Sequence, residues 1–323
     1  MPPRKKSSTR PSSKLELTLP ATSANLGPAF DSAAMALALY RKIHAQPAAD
    51  FAVTVRGRDI EVCGETRKRL MLDTYREILQ SEAKSPTPLV IRIDNQIPVG
   101  KGCGSSAAAR LAGVALAVHF GGLNWSESRI VGEASLRERH PDNAAACWAG
   151  GLAVARMSGE TEAQVVKVVP QGKWPLLLAL SPQPLSTELA RRVLPAQYDR
   201  VDAVTNVQNA MLLLAAFAQG RHDLLSSALA DRIHQPYRAQ LCPLLVPLQV
   251  LAGKNGVLGA ALSGAGPSVI VFLDPITPRK QSVASVEAHL QSAGLSAELL
   301  LTSIAVNGAS QSSGWENRRG SYR

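Results

Sequence analysis

Pro98-Val-Gly-Lys-Gly-Cys-Gly-Ser-Ser-Ala-Ala108 is the stretch on which the reading of this chain turns. Upstream lies Leu89–Ile93, a short apolar run with β-branched residues that predicts a strand. Downstream, Ser105–Phe120 is alanine-rich with a serine start and predicts a helix. Glycines permit positive φ and close backbone approach, and the helix start presents unpaired N–H groups at the positive end of its dipole. That combination cradles phosphate, and the hydroxyls of Ser105 and Ser106 can add a bond to a phosphate oxygen or to Mg²⁺. A Walker A loop is excluded, because Lys101 lies among the glycines and no lysine precedes the serines. Gly102–Ala107 does fit GxGxxG/A, but residues 94–99 separate it from the strand, and Glu127 opens a helix instead of ending a strand.

Outward from this loop, Lys14–Thr18 alternates as a strand before a turn-rich Pro20–Gly27, and Phe51–Val55 predicts another strand. Helical spacing runs over Leu70–Ser81, and Ser126-Glu127 starts a helix that ends near His140-Pro141. Gly151–Met157 and Ala163–Val169 predict paired strands. Beyond about residue 161, strands at Leu176–Leu180 and Val269–Leu273 frame helices at Thr187–Val193, Ala203–Gln219, Leu224–Ile233 and Leu244–Leu251. Strands and helices mix without strict alternation, so the class is α+β. The division expected is a basic tail over 1–14, a nucleotide-binding domain over 15–160, a second domain over 161–306 and a flexible tail over 307–323.

The net charge of +10 raises the question of nucleic acid, but its distribution answers it. Residues 1–14 hold Arg4, Lys5, Lys6, Arg10 and Lys14 without an acid, and 307–323 hold Arg318, Arg319 and Arg323 against Glu316. Most of the excess therefore lies in Ser/Pro/Gly-rich ends, and no nucleic-acid partner is expected. The uncharged Gly256–Leu273 contains four glycines and Pro267, which suits a strand–turn–strand better than a membrane span. No apolar stretch follows the basic Met1–Ser13, and Cys63, Cys103, Cys147 and Cys242 form no CxxC pair. A cytoplasmic protein with reduced thiols and no membrane partner is the expectation.

Four stretches in one order carry a resemblance to a known family. Pro20-Ala-Thr-Ser-Ala-Asn-Leu-Gly-Pro-Ala-Phe-Asp31 is similar to the opening of homoserine kinases, and Pro98–Ala108 resembles the phosphate loop of the GHMP kinases, to which they belong. Ala260-Ala-Leu-Ser-Gly-Ala-Gly-Pro267 resembles the third GHMP motif, and His140-Pro-Asp-Asn143 with Gly150-Gly151 matches a stretch of the homoserine kinases. The resemblance spans roughly residues 15–306. It implies a two-domain fold, with an N-terminal ribosomal-S5-domain-2-like nucleotide domain and a C-terminal ferredoxin-like domain. It also implies ATP and Mg²⁺ as cofactors and phosphorylation of the hydroxyl of L-homoserine, a step of threonine biosynthesis.

Residue by residue, the resemblance implies nucleotide contacts from Pro98, Val99, Gly100, Lys101, Gly102, Cys103, Gly104, Ser105, Ser106, Ala107 and Ala108. Ser106 is the matched metal hydroxyl, with Glu138 as the carboxylate beside it and Glu133 as a rival. Asn25 offers an amide and Asp31 a carboxylate suited to the substrate ammonium; His140 and Asp142 are further substrate contacts. Asn143 faces the transferred phosphoryl where related kinases carry Asp, so catalysis rests on positioning and charge stabilisation. Ser186–Pro195 and Asp231–Arg238 resemble two later family segments, placing Thr187 near the reacting centre and Arg191 and Arg238 as carboxylate clamps. Three departures stand out: Ala29 and Ala34 where glycine is usual, and Cys103 for leucine. A positive φ at Ala29 would strain the turn. A mevalonate-type GHMP kinase and a non-catalytic binding protein of the same fold are the competing readings, and a homodimer is left open.

Overall fold

The computed structural model describes residues 14–313 and Trp315. The first sheet is built from strands β1 (Leu15–Asn25), β2 (Ala29–Pro47), β3 (Ala52–Gly57), β4 (Leu89–Asn95), β5 (Leu152–Met157) and β6 (Ala163–Val168). The order is β3-β4-β2-β5-β6, with β1 paired antiparallel to β2 and only β3–β4 parallel. In β1, Leu15, Leu17 and Leu19 point inward while Glu16 points out, the period-2 pattern of a half-covered sheet. Helices α1 (Lys68–Ser81), α2 (Ser105–Phe120), α3 (Glu127–Glu138) and α4 (Asp142–Ala149) cover it. Helices α2 and α4 pack on the strands; α1 and α3 flank α2. The alanines of α2 let it sit deep, with Leu111, Val114 and Leu116 fully buried. Ser126 caps α3 as predicted, its Oγ accepting from Arg129 N–H.

The second sheet holds β7 (Leu176–Leu180), β8 (Val257–Leu262), β9 (Val269–Leu273) and β10 (Glu298–Thr302), antiparallel in the order β10-β7-β9-β8. Helices α5 (Thr187–Arg192), α6 (Arg200–Gln219), α7 (Leu225–Ala228), α8 (Gln235–Arg238), α9 (Leu245–Gln249) and α10 (Arg279–Ser292) surround it. Strands β7 and β9 are apolar throughout because both faces are covered. Leu176, Leu178, Ile270 and Phe272 face a core continuous with the first domain, while Leu177, Ala179, Val269 and Val271 face a smaller core shared with α9 and α10.

The structure corrects several expectations. Pro20–Asn25 continues β1, so the turn is confined to Leu26–Pro28. The helix expected over Leu224–Ile233 stops at Ala228, because the Asp231 carboxylate draws the N–H groups of Ile233, His234 and Gln235 into a turn. A boundary at 160/161 would cut the β5–β6 pair, so the first sheet extends to Val168. The tail expected over 307–323 is partly body: Ala309, Ser310 and Ser312 are buried, and Trp315 packs edge-on against Trp148, centroids 5.0 Å apart. The basic segment 1–13 and the residues after Trp315 lie outside the described residues. Ala29 has no positive φ and begins β2, so the feared strain is absent there; Ala34 and Cys103 are core residues. Helix α6 alone among the described residues is long and apolar enough to cross a membrane, but Leu213, Ala216 and Phe217 pack it on the core.

Candidate active site

The phosphate loop leaves Asn95, turns through Gly100, Gly102 and Gly104 at positive φ, and enters α2 at Ser105. Two glycines are fixed by close approach. A Cβ on Gly102 would lie 2.1 Å from the Ser263 carbonyl oxygen, and one on Gly104 would lie 1.8 Å from Thr22 Oγ1. The loop is stitched to the second domain, since Ser263 Oγ donates to Gly102 C=O and Lys101 Nζ donates to the carbonyls of Ser181 and Pro182. Beneath it lies the buried Arg41, whose guanidinium donates to Asn95 Oδ1, Ser105 C=O and Ser105 Oγ. Ser105 thus turns its hydroxyl inward to Arg41, against the expectation that it offers it to a ligand. Ser106 points the other way, its Oγ donating to Glu138 Oε1 at 2.7 Å. Arg110 Nε bonds the same oxygen, whereas Glu133 is paired with Arg137.

The loop opens on a cleft of about 580 Å³ between the domains. Gly100, Gly102, Cys103, Gly104, Ser105, Ser106, Glu138, His140, Asp142, Asn143, Thr187, Asn25, Asp31, Arg191 and Arg238 all line it. Pro98, Val99, Lys101, Ala107 and Ala108 do not: Ala107 and Ala108 are buried in the domain, and Lys101 is the tether described above. The wall also includes Arg137 and Gly264–Gly266, which the sequence reading did not assign. The glycines belong to the third motif, so their signal was on view. Arg137 carried none, being one more cation on a polar helix.

Charges of both signs line this space. Asn25, Leu26 and Asp31 take positive φ, a concentration of strained backbone at one turn. Asn25 braces that turn, its Oδ1 accepting from Asp31 N–H and its Nδ2 donating to Gly264 C=O, so its amide is spent on the fold more than expected. Asp31, His140 and Asp142 bring their ligand-type atoms within 4.8 Å of one another, a seat for a cation. His140 Nδ1 bonds Asp142 Oδ1, which also accepts from Asn143 N–H. Burial works to lower the His140 pKa, but this bond and the carboxylates around it outweigh burial and hold it above the usual imidazole value. Asp142 Oδ2 is buried without a partner among the described residues, and Asn143 Oδ1 accepts from Thr22 Oγ1 at 2.6 Å. Arg191 bonds both oxygens of Asp31 at 2.8 and 2.9 Å, and Arg238 lies fully buried beside it. Burial and the Arg191 charge lower the Arg238 pKa, a tension that an entering carboxylate would relieve. The Cys103 thiol, within the loop, is pushed up to about 12 by burial and stays protonated.

A glycine loop at a helix start, sharing one interdomain cleft with paired charges of both signs, defines a small-molecule kinase of the GHMP class. The model of the GHMP kinases' N-terminal domain matches residues 69–151, and that of their C-terminal domain matches residues 213–294. The homoserine kinase of Solibacter usitatus is 40% identical over 260 residues, covering 80% of this chain and 84% of that protein. That of Synechocystis is 37% identical over 297 residues, 91% of this chain and 96% of the relative. The crystal structure of a homoserine kinase from Cytophaga hutchinsonii, 21% identical, shares the fold with a TM-score of 0.75 over 92% of this chain and 96% of that one. The chain belongs to the homoserine kinase family.

Proposed function

We propose that this chain transfers the terminal phosphoryl group of ATP to the side-chain hydroxyl of L-homoserine. The observation that carries the reading is the arrangement of charge in the cleft. An amino acid brings an ammonium and a carboxylate, and the cleft offers the carboxylates of Asp31 and Asp142 beside the guanidinium groups of Arg191 and Arg238, with Arg191 paired to Asp31. A zwitterion enters by parting Asp31 from Arg191 and pairing with each. Mevalonate has no ammonium to place against Asp31, and the sequence relatives over most of the chain favour the amino acid. Retention of the whole charge set weighs against a binding protein without catalysis.

GHMP kinases use ATP, and here the loop amides from Gly102 to Ser106 and the start of α2 hold its phosphates. The hydroxyl of Ser106 and the carboxylate of Glu138, 2.7 Å apart, are hard oxygen donors that fit Mg²⁺. Bound there, the ion would neutralise phosphate charge; the remaining work falls to the protein. Arg137, paired with Glu133, stands on the same wall. Asn143 is no base, and with its Oδ1 held by Thr22 it serves to fix geometry beside the reacting centre. Asp142 Oδ2, buried and unpartnered among the described residues, accepts an N–H or O–H of the substrate. Thr187, at the start of α5 on the opposite wall, closes the site near the phosphoryl.

The test is coupled ADP release with homoserine, mevalonate and galactose as acceptors. Turnover with homoserine alone is expected, and preference for either alcohol that lacks an ammonium would overturn the proposal. Ser106→Ala should cut kcat by about a hundredfold or more, as loss of a group acting on transition-state charge does. Unchanged Mg²⁺-dependent turnover in that variant would remove Ser106 from the metal shell.

A further inference from the structure

Arg238 is 1% exposed, and its orientation is set from behind. Nε donates to Ala190 C=O at 2.9 Å, and Nη1 lies 3.2 Å from His234 Nδ1. Nη2 makes no hydrogen bond to a described residue, while the side chain lines the cleft. His234 is completely buried, and its other nitrogen, Nε2, lies 2.8 Å from Gly27 C=O. Both neighbours have one-way chemistry. A carbonyl can only accept, so Nε2 carries the proton; a guanidinium can only donate, so Nδ1 is bare. The ring is therefore held as one neutral tautomer. Burial pushes its pKa down to about 4, with the nearby Arg238 charge acting in the same direction and Asp231 against it.

The ring's two bonds reach the turn that precedes Asp31 and the Arg238 guanidinium. Gly27 belongs to the turn that delivers Asp31, and Arg238 is the buried member of the arginine pair. Phe30, at the start of β2, stacks on His234 at 5.1 Å, and the guanidinium carbons of Arg191 and Arg238 stand 5.6 and 5.2 Å from the Phe30 ring centroid. Asp231 fixes His234 in turn, accepting from three consecutive backbone N–H groups.

We propose that His234 is a positioning residue that sets the Arg238 guanidinium relative to Asp31, and through that spacing selects the amino-acid headgroup. This rests on the reading above that Arg238 grips the substrate carboxylate. The role belongs to the neutral ring's two ends separately, which makes it separable by mutation. An Asn amide oxygen can take the place of Nδ1 as acceptor, while a Gln amide N–H can take the place of Nε2 as donor. His234→Gln should therefore raise the KM for homoserine about tenfold, the loss expected for one charge-assisted bond, with the KM for ATP within about twofold of the parent. His234→Asn should recover most of that loss. Parental homoserine KM in both folded variants would overturn the inference. So would a parallel rise of both KM values with a falling Tm, which marks a residue that only stabilises. Arg238→Met separates the two levels. Unchanged homoserine KM there would sink the carboxylate reading itself, whereas a raised KM beside parental His234 variants would sink the role of His234 alone. Should the His234 variants fail to fold, ring ¹⁵N shifts of the native protein decide. A bare Nδ1 and protonated Nε2 across about pH 5.5–9 are expected, and an imidazole titrating near its ordinary pKa of about 6.5 would refute the assignment.

Discussion

A methyl group on Gly104 would approach Thr22 Oγ1 to 1.8 Å and Asn143 Oδ1 to 3.1 Å, at a φ of +67°. Gly104→Ala therefore carries two penalties, the left-handed conformation at about 1 kcal/mol and the displacement of a bonded pair that fixes Asn143. Steady-state kinetics should show kcat down by at least about tenfold with the homoserine KM less affected; parental kcat would mean that the Thr22–Asn143 bond does not govern the phosphoryl geometry. The need for glycine here was legible in the sequence, because a loop that accepts phosphate on its backbone excludes side chains. What the glycine actually meets was not. Thr22 and Asn143 are 121 residues apart, and Gly264, which takes one end of the Asn25 amide, is 239 residues from Asn25. Short patterns reveal which residues carry chemistry, but pairings at such separations arise only as the chain folds, within the first domain for Thr22 and Asn143 and across the two domains for Asn25 and Gly264. Ser105 and Ser106 show the same limit: adjacent, chemically identical and both expected at the ligand, they point to opposite sides of the helix start.

Among the elements, those with strong local signals matched: α2 from alanine content and start residue, β7 and β9 from unbroken apolar runs, the β5–β6 pair from its turn. Strand β2, with 19 residues, was not anticipated, because Ala33–Leu37 lacks polar alternation where both of its faces are covered. The C-terminal segment misled for the opposite reason. Its polar, glycine-containing composition reads as solvated, yet Trp315 covers Trp148 of α4, and Ser312 Oγ accepts from Thr18 N–H in β1. A chain ending at residue 306 should consequently lose on the order of 3 kcal/mol, the range for deleting a buried tryptophan, and melt several degrees lower by calorimetry. An unchanged Tm would mean that Trp315 covers without stabilising. Removing residues 1–13 instead tests the other tail, for which the composition predicts no loss.

At the scale of the molecule, the larger core crosses the domain boundary: Leu176, Phe217, Leu229 and Phe272 of the second half join Leu17, Leu37 and Leu116 of the first. Heat should accordingly unfold both domains in one calorimetric transition, and two resolved peaks would show that the shared core does not couple them. That coupling also keeps the cleft's two walls in register, since the phosphate loop comes from one domain and both arginines from the other. The pairing of Arg191 with Asp31 then has a consequence for ionic strength. A zwitterion that slips between them exchanges one ion pair for two and brings no net charge, so it draws little on the long-range field. ATP, a polyanion approaching a chain of net charge +10, depends on that field. Raising salt from about 0.01 M to about 0.15 M shortens the screening length from about 30 Å to about 8 Å, and it should weaken the nucleotide much more than the amino acid. One site would thus answer to its medium through one substrate and stay nearly indifferent through the other.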